Sequence, residues 1–489
     1  MRRPVSDSSN NPLTIPGSIA RCDGYNGAHL MSRTNDTPRS SGHLLRILGV
    51  GFGVAVIIGG VIGSGILRAP GLVAAQLRSP KLVLAVWLIG GIYAFCCTLS
   101  VTELGTMLPR AGGWYVFSRR AFGDYGGFLV GCLDLMVQPV ANAYLAVAFG
   151  DFAAECFPAL HGHAKLLAIT SVVVLTGLNW IGLREGSTTQ MVTSLAKTLA
   201  LIVFVGACFV ISPHVSGGVT PATPPPATSG GLVLAMLVAL QFVIVTYDGW
   251  YFGIYFTEED HDPGRNLPRS SVGTVLACIA IYILVNLALL HVLTLNKLAA
   301  STVPMADAAT AIFGARGGQF ILILAILSTI SALNASLLFA PRILFGMARD
   351  GWLPGWVASV NAGGTPTAAL LLVALASIAL VLSGGYEKLI ALASVLLVAL
   401  YLSGPCALFA LRRREPDLPR PFKAWGYPWT PLFALLASGA FLIATIIGDL
   451  KDALFTLALI TLSYPLYYFV IKKRRAPASA GDAIVVQPE

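Results

Sequence analysis

Charge is what this chain has least of. Of its 489 residues only 11% are Asp, Glu, Lys or Arg, against roughly a quarter in an ordinary soluble domain. That scarcity excludes a solvated surface wrapped around a chain of this length. What replaces charge is apolar: 56% of the residues are hydrophobic and the mean hydropathy is +0.76. A single membrane anchor would use only ~20 residues, so most of the chain is expected to lie in lipid. A net charge of +9, from 32 Lys and Arg against 23 Asp and Glu, leaves few basic residues free to form a nucleic-acid-binding patch. Chemistry-bearing motifs are missing as well. There is no G-x-S-x-G, no H-E-x-x-H and no Walker A, which argues against an enzyme and against an ATP-driven pump of the usual kind. No selectivity filter or charged ring suggests a channel. Eight cysteines show no framework spacing, and Cys96, Cys97, Cys132, Cys208, Cys278 and Cys406 sit inside apolar runs, where they read as packing residues. Met1-Arg2-Arg3 leads into a polar stretch rich in Ser, Asn, Gly and Pro, not into the apolar core of a secretory signal. Residues 1–45 are therefore expected to be a disordered cytoplasmic tail.

Apolar stretches long enough to cross ~30 Å of hydrocarbon fall near 47–71, 81–107, 126–148, 165–183, 189–212, 231–257, 272–295, 319–347, 366–383, 387–411, 430–448 and 452–471. The prediction is an all-α membrane protein with twelve transmembrane helices. Turn-forming punctuation separates them: Pro109 through Gly113, Ser212-Pro213, the Pro/Thr-rich 221–226, Asp262-Pro263-Gly264 and Arg349-Asp350-Gly351. With the N-terminus inside, the inner segments hold 23 of the Lys and Arg residues and the outer loops 8. That asymmetry predicts a multi-pass protein of a cell membrane, inner or plasma, with both termini cytoplasmic. Arg68, Arg78 and Lys81 in the first outer loop run against it.

The first span carries seven glycines, Gly49, Gly51, Gly53, Gly59, Gly60, Gly63 and Gly65, each worth about 1 kcal/mol of helix stability relative to Ala in a soluble reference. Close packing through small residues explains the earlier ones. The cluster from Gly60 to Gly65 points instead to a discontinuous helix, whose freed N–H groups would bind an anionic group near mid-membrane. The sixth span has its own interruption at Val245-Thr246-Tyr247-Asp248-Gly249-Trp250. Breaks in the first and sixth spans suggest two five-helix halves of inverted topology. They would cover 46–215 and 230–412, followed by 413–471 with two further helices and a cytoplasmic tail, 472–489.

These motifs resemble a known family. Val61-Ile62-Gly63-Ser64-Gly65-Ile66-Leu67 is similar to the first-helix motif of the amino acid–polyamine–organocation (APC) permeases. Glu103-Leu104-Gly105, Pro109 through Tyr115, Thr257-Glu258-Glu259 with Asn266-Leu267-Pro268-Arg269, Met347 through Gly351, and Arg420-Pro421-Phe422-Lys423 with Tyr427-Pro428 resemble its later motifs in the family's order. Tyr247-Asp248-Gly249-Trp250, together with Gln190 and Lys197, points to the L-type branch. The resemblance implies the LeuT-like five-plus-five inverted repeat plus two C-terminal helices. It implies a permease moving an amino acid substrate by alternating access, by proton symport or by exchange. A non-transporting amino acid receptor on the same scaffold and a polyamine or organocation transporter are the alternatives. It further implies that backbone amides around Ser64, Gly65 and Ile66 hold the substrate carboxylate, while carbonyls near Ile62, Val245 and Tyr247 receive its ammonium. Gly63 and Thr246 fall within the same two breaks. One departure stands out: Val245 occupies a position where L-type relatives often carry an aromatic gate.

Lys197 lies well inside the fifth span, where a charge costs roughly 2.5–3.5 kcal/mol even on the lenient insertion scale. Snorkelling to an interface is the alternative to a functional role. The resemblance places its amine where sodium-coupled relatives bind an ion, so transport is expected to be sodium-independent. Asp248 either faces the substrate or caps the half-helix after it. Glu103 and Asp134 are expected to be paired within the fold; Ser328, Ser331, Asn334 and Ser336 either line the path beside Lys197 or, as is more common, act as polar glue between helices. His161-Gly162-His163 is too sparse a donor set for a metal, and no cofactor is implied. Cys156 stands in an outer loop where L-type animal transporters tether an accessory glycoprotein. A free thiol and no accessory subunit are expected here.

Overall fold

The computed structural model describes residues 43–211, 231–384, 386–448, 457–458 and 460–469. Residues 1–42 of the expected 1–45 tail, the expected tail 472–489 and residues 212–230 lie outside the described residues; within 43–45, Leu44 and Leu45 are partly buried against the helices rather than free. Among the described residues there is no β-strand, only helices: α1 (Val50–Val61), α2 (Gly65–Leu77), α3 (Pro80–Met107), α4 (Trp114–Cys156), α5 (Ala164–Ile181), α6 (Leu183–Val210), α7 (Gly231–Thr246), α8 (Pro263–Val292), α9 (Leu295–Ala300), α10 (Pro304–Phe313), α11 (Ala315–Arg349), α12 (Thr367–Ser383), α13 (Tyr386–Arg414) and α14 (Trp429–Gly448).

Seven of these, α3, α4, α5, α6, α8, α11 and α13, are long and apolar enough to cross a membrane. An eighth crossing is built from α1 and α2, which meet at a 44° bend. Three shorter apolar helices, α7, α12 and α14, occupy further predicted spans. The twelfth predicted span is described only over 457–458 and 460–469, which are helical. Helix starts follow local chemistry. Pro80, Pro263 and Pro304 are each the first residue of their helix, where the missing N–H would have had no partner anyway.

Three segments depart from the apolar pattern. The stretch 114–125, expected as loop, begins α4, which absorbs a kink at Gly123 (φ 81°). The connection between α8 and α11 contains α9 and α10. The sixth predicted span, 231–257, stops being α-helical at Thr246 and continues as turn and a short 3₁₀ stretch, Phe252–Phe256.

In lipid, helices are held by close packing and polar contacts more than by apolar transfer. Small residues set the approach here. A methyl on Gly90 would stand 2.4 Å from Val243, one on Gly91 2.8 Å from Ile279, and one on Gly131 2.7 Å from Met347. Hence α3 closes on α7 and α8, and α4 closes on α11. Around α1 stand α6, α8 and α11, while α2 packs on α7. The start of the first broken segment is tied to the chain just past the end of the second: Leu48 N–H donates to Glu259 O at 3.0 Å, and His261 N–H donates to Leu48 O at 3.1 Å.

Candidate substrate site and its supporting lattice

At the first break, Ile62 leaves the helical region (φ −79°, ψ 75°) and α2 restarts at Gly65. A helix end leaves four carbonyls without intrahelical partners, and in hydrocarbon each must find another donor. The Ile58 carbonyl takes the N–H of Ile62 at 2.9 Å. Gly59 and Ile62 carbonyls both accept from Lys197 Nζ, at 2.8 and 2.6 Å. The Val61 carbonyl accepts from the Tyr282 hydroxyl at 2.5 Å. That hydroxyl also lies 3.2 Å from the carbonyl of Thr246, the last residue of α7. One side chain from α6 and one from α8 therefore bond three carbonyls of the break, those of Gly59, Val61 and Ile62, and Tyr282 touches both breaks. The breaks meet directly as well. Gly249, at φ 102°, packs so closely on Gly60 that a Cβ there would sit 2.7 Å from the Gly60 carbonyl carbon, and its backbone region favours glycine.

Between the breaks lies a cavity of about 80 Å³. Gly60, Val61, Gly63, Ser64 and Gly65 line it from the first break, and Val245, Thr246, Asp248, Tyr251 and Phe252 from the second. The opposite wall comes from α4 (Val137, Gln138, Ala141, Tyr144, Leu145), α11 (Ala332, Ser336) and Leu397 of α13. At the cavity, Ser64 caps α2 and Gly65 and Ile66 begin it, and N–H groups at a helix start have no intrahelical acceptors and carry the positive end of the helix dipole. Asp248 is the one charged side chain among the described lining residues, and Tyr401 Oη donates to its Oδ1.

Of the residues singled out from sequence, Gly63, Ser64, Gly65, Val245, Thr246 and Asp248 line this cavity. Ile62, Ile66 and Tyr247 do not. Ile62 presents its carbonyl to Lys197, and the Ile66 side chain is buried. Tyr247 turns away toward α3, where its hydroxyl donates to the Trp87 carbonyl at 3.3 Å and its ring packs on Trp87 and Tyr282. Lys197 is fully buried. The link from α6 to α11 is made not by its amine but by residues one and two turns earlier. Gln190 Nε2 lies 3.3 Å from Ser331 Oγ, Asn334 Nδ2 donates to Gln190 Oε1 at 2.9 Å, and Ser194 Oγ lies 3.3 Å from Ser331 Oγ. Ser194 also donates to the Ala55 carbonyl of α1 at 2.7 Å.

Sequence reasoning missed Tyr282, Gln138 and Tyr401, and it favoured polar glue over a lining role for Ser336, which lines the cavity. Each sits in or beside an apolar run with no local signal of its partner. Asp134 now has partners: it accepts from Gln138 Nε2 at 2.7 Å and from the Tyr255 hydroxyl at 2.8 Å.

The motifs outside the breaks gather at one end of the bundle. Buried Glu103 accepts two bonds from Arg412, at 2.8 and 2.6 Å, and one from the Ala424 N–H at 2.6 Å, with Arg420 at 3.3 Å. Glu259 and Arg342 form a fully buried fork-to-fork pair at 2.7 and 3.0 Å. Glu258 binds Arg349 at 2.6 Å and the Ala111 N–H at 2.7 Å, and Asp350 binds Tyr115, Arg119 and Arg110. Residues far apart in sequence thus become one ion-paired lattice that fixes the elements around the cavity. Cys156 is a free, partly buried thiol. His161 and His163 are exposed in the turn before α5.

Residues 53–471 match the amino acid permease family. The chain belongs to that family. It is 31% identical over 445 residues to the serine/threonine exchanger SteT of Bacillus subtilis, covering 88% of this chain and 98% of that protein. It is 28% identical over 453 residues to the mouse large neutral amino acids transporter small subunit 2, covering 90% and 84%. It is likewise 28% identical over 451 residues to the mouse b(0,+)-type amino acid transporter 1, covering 89% and 90%. An amino acid permease with a multi-pass membrane body accounts for the apolar composition and the helices together. The relatives are transporters, which fits a chain without catalytic motifs.

Proposed function

We propose that this permease exchanges amino acids across the membrane by alternating access, without sodium. The observation that carries the reading is the Lys197 amine on the carbonyls of Gly59 and Ile62. A cation bound between those carbonyls would serve the discontinuous helix as a coupling ion serves it elsewhere. Here the cation is covalently tethered, so no ion gradient is spent on it and the driving force is the second amino acid. That a relative is itself named an exchanger supports the same choice.

The substrate carboxylate is assigned to the free amides of Ser64, Gly65 and Ile66, and the ammonium to carbonyls of Val245 and Tyr247, with the Asp248 carboxylate beside them. The Ile62 carbonyl, first considered for the ammonium, already accepts from Lys197. The twelve-span reading is supported by eight crossings, three shorter apolar helices and the helical stretch near 460–469. With both termini cytoplasmic, the ion-paired end faces the cytoplasm of an inner or plasma membrane. The breaks in the first and sixth crossings support two inverted halves, 46–215 and 230–412. Cys156 is assigned no accessory subunit.

Uptake of labelled amino acids into proteoliposomes holding the purified protein tests this. Uptake that requires an amino acid inside is the expected result. Accumulation driven by a pH gradient into empty vesicles would assign proton symport instead, and binding without flux would assign a receptor.

A further inference from the structure

Several buried side-chain polar atoms have no partner among the described residues, and one of them belongs to a residue of the cavity wall: Ser336 Oγ. Elsewhere in these helices, buried hydroxyls turn back to a carbonyl three or four residues earlier. Thr98, Thr329 and Ser377 do so at 2.7–2.9 Å, as hydroxyls in apolar helices commonly do. Ser336 is 1% exposed and makes no such bond. A buried hydroxyl left unpaired costs about 1–3 kcal/mol, so its place on the wall of a cavity calls for an occupant that bonds it.

On the same wall, contributed by α4, Gln138 is also 1% exposed. Its amide nitrogen donates to Asp134 Oδ1 at 2.7 Å, which turns the amide oxygen to other donors. The Tyr251 hydroxyl stands beside Gln138 and lines the same cavity. Asp134 is itself fixed by Tyr255 and therefore acts as a positioning residue for Gln138. Around this polar pair the wall is apolar: Val137, Ala141, Leu145, Ala332 and Leu397.

We infer that Ser336 and Gln138 form the side-chain subsite of the substrate cavity, and that they select amino acids whose short side chain ends in an uncharged hydrogen-bonding group, a hydroxyl or carboxamide. This rests on the amino acid exchange reading and adds the substrate class. Gln138 supplies an acceptor, while Ser336 supplies a hydroxyl that donates or accepts. An apolar isostere would leave the Ser336 hydroxyl without a partner, and a site built for hydrogen bonding discriminates against such an analogue.

Threonine and valine, equal in shape and different in one hydroxyl, provide the test. Competition of each against a transported label is measured in proteoliposomes for the unmodified protein, Ser336→Ala, Ser336→Thr and Gln138→Met. The unmodified protein is expected to prefer threonine at least about tenfold, the equivalent of one hydrogen bond. Ser336→Ala, which removes only an unpaired hydroxyl and so spares the fold, should bring that ratio down about tenfold, and Ser336→Thr should keep most of it. Gln138→Met should lower it independently. Equal use of threonine and valine by the unmodified protein, or an unchanged ratio in Ser336→Ala, overturns the subsite while leaving amino acid transport standing. No transport of any amino acid overturns the transport reading and the subsite with it.

Discussion

The amine of Lys197 lies 2.6 Å from the carbonyl oxygen of Ile62, where α1 ends and before α2 begins. A second bond, to Gly59 at 2.8 Å, makes α6 the partner of the first break. Lys197→Ala would leave two carbonyls in hydrocarbon without that donor, at about 1–3 kcal/mol each. Exchange is expected to fall at least about tenfold, since 1.4 kcal/mol is a factor of ten. Initial rates of counterflow in proteoliposomes measure this, with size-exclusion behaviour as the check on folding. Unchanged exchange in a well-folded variant would remove Lys197 from the mechanism.

Tyr282 makes a separate prediction. Its hydroxyl donates to Val61 O and lies against Thr246 O, so Tyr282→Phe cuts the direct polar link between the two breaks while keeping the ring that packs on Trp87. The variant should fold and transport about tenfold more slowly, again the size of one hydrogen bond. A rate equal to that of the unmodified protein would show that the breaks move without this link.

Glycines at the breaks should divide into two kinds. A methyl on Gly63 meets nothing closer than the Gly60 carbonyl oxygen at 3.6 Å and projects where the cavity is lined. Gly63→Ala should therefore fold and lose substrate affinity. At Gly249 the positive φ and the Gly60 backbone at 2.7 Å leave no place for a side chain, so Gly249→Ala should lose folded yield itself. Detergent-solubilised yield and substrate binding, measured on both, check the division.

Much of this was legible in the sequence for simple reasons. Glycine clusters and an aspartate inside apolar runs are costly unless used, which is why both breaks and Lys197 stood out. Helix ends were less visible. The amphipathic stretch from Trp114 to Tyr125 reads as loop because its polarity reflects ion pairing at the bundle end, as with Arg119 on Asp350. Tyr282 was illegible as a site residue, because a single polar atom in an apolar helix says nothing about which neighbour it meets. Tyr247 failed differently: its place in the break was readable, its direction was not.

Glu103 anchors the lattice. It is fully buried and bound by Arg412, Arg420 and the Ala424 N–H, and breaking such a pair from one side costs roughly 3–5 kcal/mol. Glu103→Ala should lower the thermal unfolding midpoint in detergent and leave the substrate preference of the surviving folded protein unaltered. A midpoint equal to that of the unmodified protein would contradict the assigned role.

The central claim is that a tethered amine takes the place of a coupling ion. It is tested most directly by initial uptake of labelled amino acid into proteoliposomes preloaded with unlabelled amino acid, run in sodium and in choline buffers of equal ionic strength. The account predicts equal rates in the two buffers and no accumulation driven by a sodium gradient in vesicles without internal amino acid. Uptake that rises with external sodium would contradict it.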